Sequence, residues 1–217
     1  IVTGFLQLGI EGYPDKVLEI FKSLKRMGAD VKYLKKELAG DVERNAHRIK
    51  DQVLEQMESY DGDFVLLGTS LGATEALIAL TYLNNELQTR SPKDLDRIRS
   101  FISISGTIGG SFLVDWMEAN PWILETSEFI IETSVSWAGM DLDSMAGYSQ
   151  QSSREVRRLL WSKVHDLPQH LNYYSVVGVP RKNGLAEDDF LRSFQSFINR
   201  NLFWTHGSND GYIEFPF

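Results

Sequence analysis

The stretch Asp63-Phe64-Val65-Leu66-Leu67-Gly68-Thr69-Ser70-Leu71-Gly72-Ala73-Thr74-Glu75-Ala76-Leu77 changes character at one residue. Before Gly68, the unbroken apolar run Phe64 to Leu67 suits a β-strand buried on both faces. After Ser70, the segment Leu71 to Leu83 is rich in Ala and Leu and reads as a helix. Strand passes into helix with no loop between, so Ser70 falls on a tight turn, with Gly68 and Gly72 relieving the crowding on either side. Such a turn lifts the serine hydroxyl above the sheet. It also aims the first N–H groups of the helix at the same space, where negative charge develops when a serine attacks a carbonyl. The plainer reading makes Ser70 a helix cap and the glycines packing residues.

Outward from this segment the same alternation repeats. Toward the amino end, Ile1 to Thr3 reads as a strand stopped by Gly4. A helix follows, with Pro14 in its first turn, apolar residues at Val17, Ile20, Phe21, Leu24 and Met27, and Gly28 as terminator. Asp30 to Leu34 reads as a short strand. Asp41 is placed to cap a long helix whose buried face is Val42, Ala46, Ile49, Val53 and Met57. Toward the carboxyl end, a polar connection from Asn84 to Arg97 leads to a strand over Arg99 to Ser105. From Gly106 to about Leu171 helical patterns carry Trp116, Trp122, Phe129, Trp137 and Trp161. Each tryptophan is expected in the core. Tyr173 to Val179 restores a strand, Leu185 to Asn199 reads as a helix, and Leu202 to His206 as a short strand before Asn209-Asp210-Gly211. Strands alternating with helices imply a parallel α/β sheet.

Composition fits one compact domain over residues 1–217: 42% of residues are hydrophobic and 24% charged. No apolar run approaches the roughly 20 residues of a membrane-spanning helix. With a formal charge of −8 and no basic stripe, nucleic-acid binding is disfavoured. The absence of cysteine removes thiolate nucleophiles and disulfides, and leaves the compartment open. No cofactor motif occurs. Metal binding has little support, since there is no His-Glu-x-x-His, and the adjacent acids Asp188 and Asp189 suit a helix start.

With Gly68-Thr69-Ser70-Leu71-Gly72 set between strand and helix, the chain resembles the α/β-hydrolase family, more narrowly the bacterial triacylglycerol lipases and esterases. The resemblance covers most of the chain. It implies a mostly parallel sheet flanked by helices, with a helical lid or cap over approximately 107–171, and a serine hydrolase acting on a small-molecule ester or lipid. On the family pattern Ser70 is the nucleophile. Leu71 N–H is one oxyanion donor, and Phe5, in Thr3-Gly4-Phe5-Leu6, supplies the other. Where the family has His-Gly, this chain has Thr3-Gly4. Ser105-Gly106-Thr107 resembles the loop leading into the lid. Asn209-Asp210-Gly211 matches the turn that carries the acidic triad residue, which makes Asp210 the carboxylate that orients the histidine.

The histidine is the missing part. No histidine follows Asp210 in a chain that ends at Phe217. Of the four present, His47 falls in mid-helix, His165 and His170 flank Leu167-Pro168, and only His206 lies near the Asp210 turn. A chain cut short of its carboxyl-terminal part accounts for this most simply. The order Ser, Asp, His then puts the base roughly 15 to 40 residues beyond Phe217. Acyl transfer or thioester cleavage by the same residues, or an inactive hydrolase fold used for binding, are the alternatives on the sequence.

Overall fold

The computed structural model describes residues 1–2, 22–37, 40–104, 106–111, 114–115, 119 and 153–176. Among the described residues three strands form a parallel sheet: β1 (Phe64–Thr69), β2 (Ile98–Ile104) and β3 (Asn172–Val176), in that spatial order. Val2 adds a fourth line beside β1, donating to the Leu67 carbonyl at 2.8 Å and accepting from Thr69 N at 3.0 Å. Outside it lies the 31–34 segment. Ile1 N donates to Lys32 O at 2.6 Å and Leu34 N to Ile1 O at 3.0 Å, the pairing of a parallel neighbour. Lines of chain therefore run 31–34, 1–2, β1, β2, β3, and the order reverses between Val2 and β1. In open α/β sheets the crevice at such a reversal, at the carboxyl ends of the strands, is where ligands bind.

Helix α1 (Val42–Ser59) begins where the sequence places it: the Asp41 side chain accepts from Arg44 N at 2.8 Å. Its buried residues include all five expected from the periodicity, and also Asn45. Helix α2 (Leu71–Arg90) is the centre of the domain, packed on β1 and β2 below and touched by α1 and by α4 (Ser153–Leu160). A helix enclosed this way must be apolar on nearly every side, which is why its sequence shows little amphipathic pattern. It also runs past Leu83, so the expected polar connection from Asn84 is corrected. Leu87 is buried, and Asn84, also buried, donates to Asp166 O at 2.8 Å, which satisfies the amide inside the core. A helical turn, α3 (Pro92–Leu95), then leads to β2.

Two further expectations change. Val65 is 56% exposed, on the face of the sheet opposite α2, so only the other face of β1 is sealed among the described residues. Trp161, expected in the core, is 59% exposed where α4 passes into the 3₁₀ segment Trp161–Asp166. Core packing there is supplied instead by Val156, Leu159 and Leu160. Gly28 adopts φ +90 and ends the helical turn at 22–26, as the sequence suggests. Of the lid expected over approximately 107–171, residues 112–113, 116–118 and 120–152 lie outside the described residues, as do the elements read after 176. No helix among the described residues is long and apolar enough to cross a membrane.

Candidate active site

Ser70 sits at the carboxyl end of β1 and opens α2, with φ 50 and ψ −130. Among the described residues it is the one non-glycine residue with positive φ, a conformation that costs on the order of 1–3 kcal/mol and persists where the surroundings over-determine it. Those surroundings are visible. Ser70 N donates to Ile104 O at 3.1 Å. The Ser70 carbonyl accepts from Ala73 N at 3.0 Å and from Thr107 N at 3.3 Å. An N-cap has extended backbone and a side chain bonded to the first turn. Ser70 has neither, and its side chain makes no capping hydrogen bond.

Gly68 lets the turn be this tight. A Cβ at position 68 would stand 2.8 Å from Ala73 N and from Gly72 O, and nearer still to Ala73 Cα, so the helix start presses directly on the strand. Gly106 serves the next strand in the same way, since a Cβ there would meet the Ser103 hydroxyl and lie 2.6 Å from Ala73 Cβ. Ser103 pairs in register with Gly68, and its buried hydroxyl has no hydrogen-bond partner among the described residues. Small residues on β1 and β2 thus seat the first turn of α2, whose leading N–H groups, Leu71 first, have no intrahelical acceptor. The positive end of the helix dipole lies in that same turn.

Sequence reading missed the polar residues that hold this turn. Thr74 Oγ1 donates to Thr107 O at 3.0 Å, both residues being buried. On the other side Glu75, fully buried, accepts from Lys36 Nζ at 2.5 Å and from Asn45 Nδ2 at 2.8 Å. Burial pushes the Glu75 carboxyl above the usual range, against the opposing pull of Lys36 and Asn45. One signal was present in the sequence: Glu75 is the lone charge in the apolar run Leu71 to Leu83.

Of the residues expected in the site, Ser70 and Leu71 are described, whereas Phe5, Asp210 and His206 lie outside the described residues, as do Asp188 and Asp189. Three histidines can be located. His47 is exposed and stacks on Tyr82 with ring centroids 4.2 Å apart. His170 reaches Leu95 O at 3.2 Å, at the opposite end of the sheet. His165 lies on the surface in the 3₁₀ segment. That segment meets α2 at Asn84, about 20 Å along the helix from Ser70 at 1.5 Å per residue. Among the described residues none of the three hydrogen-bonds Ser70, and no group of side chains is arranged to hold a metal ion. A cavity of about 460 Å³ lined by Leu24, Val53, Phe64, Leu80 and Ile98 is apolar and lies toward the amino ends of β1 and β2, away from the turn.

No family model matches the sequence, and no curated protein matches it. Solved structures do. Bacillus licheniformis lipase BlEst2 in its mature form superposes with a TM-score of 0.65 at 16% identity, over 98% of this chain and 75% of that one. The propeptide form of the same lipase gives a TM-score of 0.70 at 16% identity, over 98% of this chain and 41% of that one. A metagenomic carboxyl esterase, MGS0156, gives 0.65 at 22% identity, over 98% and 57%. The chain thus spans from two-fifths to three-quarters of the length of these neighbours. At such identities the likeness is one of fold: the chain has the α/β-hydrolase fold.

Proposed function

We propose that this chain is the nucleophile-bearing part of a serine hydrolase that cleaves carboxylic esters through an acyl-enzyme intermediate. The observation that carries the reading is the strained backbone of Ser70 on a switch-point strand, with a hydroxyl left out of helix capping. Ser70 Oγ adds to the ester carbonyl and passes its proton to a histidine. The carbonyl oxygen, now negative, is held by Leu71 N–H and by Phe5 N–H, the donor assigned from the sequence match. Collapse of the tetrahedral adduct expels the alcohol, which takes the proton from the histidine. Water then attacks the acyl-enzyme by the same route, releasing the acid and restoring Ser70. Asp210 is the proposed partner of that histidine, which is expected beyond Phe217. The likeness to a lipase and a carboxyl esterase supports a small-molecule ester or lipid as substrate.

The test uses full-length protein. Ser70→Ala should abolish turnover of short p-nitrophenyl esters with an unchanged circular dichroism spectrum, and a fluorophosphonate probe should label the parent at Ser70 alone. Undiminished turnover in the variant would remove Ser70 from the mechanism.

A further inference from the structure

We propose that Lys36 and Glu75 are positioning residues that hold the Ser70 turn in register, a role that deepens the ester-hydrolase reading and rests on it. Glu75 lies in the second turn of α2, and its carboxylate meets two other parts of the fold. Lys36, in the segment after the 31–34 line, brings its ammonium to 2.5 Å, with the two side chains 1% and 0% exposed. Asn45, in the first turn of α1, donates to the other carboxylate oxygen at 2.8 Å. Asn45 also clasps the backbone of Glu37, donating to its carbonyl at 2.8 Å and accepting from its N–H at 3.0 Å. One carboxylate thereby ties the start of α2 to the start of α1 and to the chain leaving the outer line of the sheet.

Stability is a weak reason for this arrangement. Removing two charges from water costs much of what their attraction returns, and well-packed apolar substitutes for a buried ion pair are commonly neutral or stabilising. What the pair supplies and apolar packing does not is direction: two short charge-assisted contacts fix where Glu75 stands, whereas apolar surfaces slide. Thr74, the residue before it, is tied to Thr107 on the opposite side of the helix start, and Thr107 N donates to Ser70 O. The first turns of α2 are gripped from both flanks, and the residue kept in a strained conformation lies at their head.

The decisive variant is Lys36→Met/Glu75→Leu in full-length protein, which removes both charges and roughly keeps the volume. We expect a melting temperature equal to or above the parent's and amide exchange at Ala73 and Thr107, the two donors to Ser70 O, at least tenfold faster. Ester turnover should fall about tenfold or more in kcat with KM within twofold. Lys36→Arg/Glu75→Asp, which keeps an ion pair of similar span, should restore exchange protection and kcat together. Parent-like exchange and kcat in the apolar variant would overturn the proposal. So would a variant that does not fold, because the pair would then serve the whole fold and not the turn. Should the parent show no Ser70-dependent turnover, the ester-hydrolase reading fails, while exchange at Ala73 and Thr107 still decides the positioning role.

Discussion

A single methyl group at position 68 tests whether strand and helix meet as closely as described. In Gly68→Ala the new Cβ would stand 2.8 Å from Ala73 N and Gly72 O, whereas ordinary contact begins at 3.4 Å. The obstacles are backbone atoms, Ala73 Cα nearest of all, so no side chain can rotate away, and the helix start must withdraw by roughly 1 Å in a densely packed interior. Overpacking of this kind costs about 1–3 kcal/mol. Against it stands the gain of about 0.5–1 kcal/mol from replacing a strand glycine, since Gly68 has no positive φ that alanine would find strained. The clash wins, leaving a net loss of about 1–2 kcal/mol. For a chain of this size that lowers the melting temperature by roughly 2–8 °C. Turnover should suffer more than stability. A displacement of about 1 Å costs up to about 100-fold in rate, so a loss between about tenfold and 100-fold is expected here. Thermal melts of the variant, with ester turnover of full-length protein, read both effects. A melting temperature within 1 °C of the parent together with undiminished turnover would refute the close approach of α2 to β1.

Two other substitutions address the same turn by different physics. Ser70→Gly removes the backbone strain of φ 50, worth about 1–3 kcal/mol, and loses about 0.5–1 kcal/mol to the freedom of glycine in the unfolded chain. A net gain of about 1 kcal/mol should raise the melting temperature by roughly 2–4 °C, and a lower one would show that Ser70 is unstrained. Lys36→Met alone leaves Glu75 buried without its cation, at a cost of about 3–5 kcal/mol near neutral pH. Burial already raises the Glu75 pKa above the ordinary 4.5, the nearby Asp41 adds to that, and losing Lys36 raises it further. The folded state then holds a proton that the unfolded state has released, so stability falls as pH rises above 4.5. The variant should melt closer to the parent at pH 5 than at pH 8, and a constant difference across that range would count against the assignment.

Much of the architecture was legible because it depends on local rules. The strand-to-helix passage at Ser70, the Asp41 cap and the α1 face of Val42, Ala46, Ile49, Val53 and Met57 follow from side-chain period and capping chemistry, which act within a few residues. Reading failed where a distant partner overrode a local signal. The run Asn84 to Arg90 reads as polar connection until Asp166, remote in sequence, satisfies Asn84 and lets the helix continue. Trp161 reads as core because of its size, yet three aliphatic neighbours fill the space beneath α4.

For the candidate site, local sequence was enough to find the serine, its flanking glycines and the helix that follows, since a Gly-x-Ser-x-Gly turn between an apolar strand and an Ala-rich helix constrains its own backbone. The three-dimensional fold added that Ser70 is held at positive φ without capping α2. It also brought Lys36 and Asn45 to Glu75, and Thr107 to Thr74, at the first turns of that helix. Those three partners come from separate elements, so no periodicity or spacing links them to α2. A buried charge finds its partner through the fold, because the cost of leaving it unpaired falls due only once water is excluded.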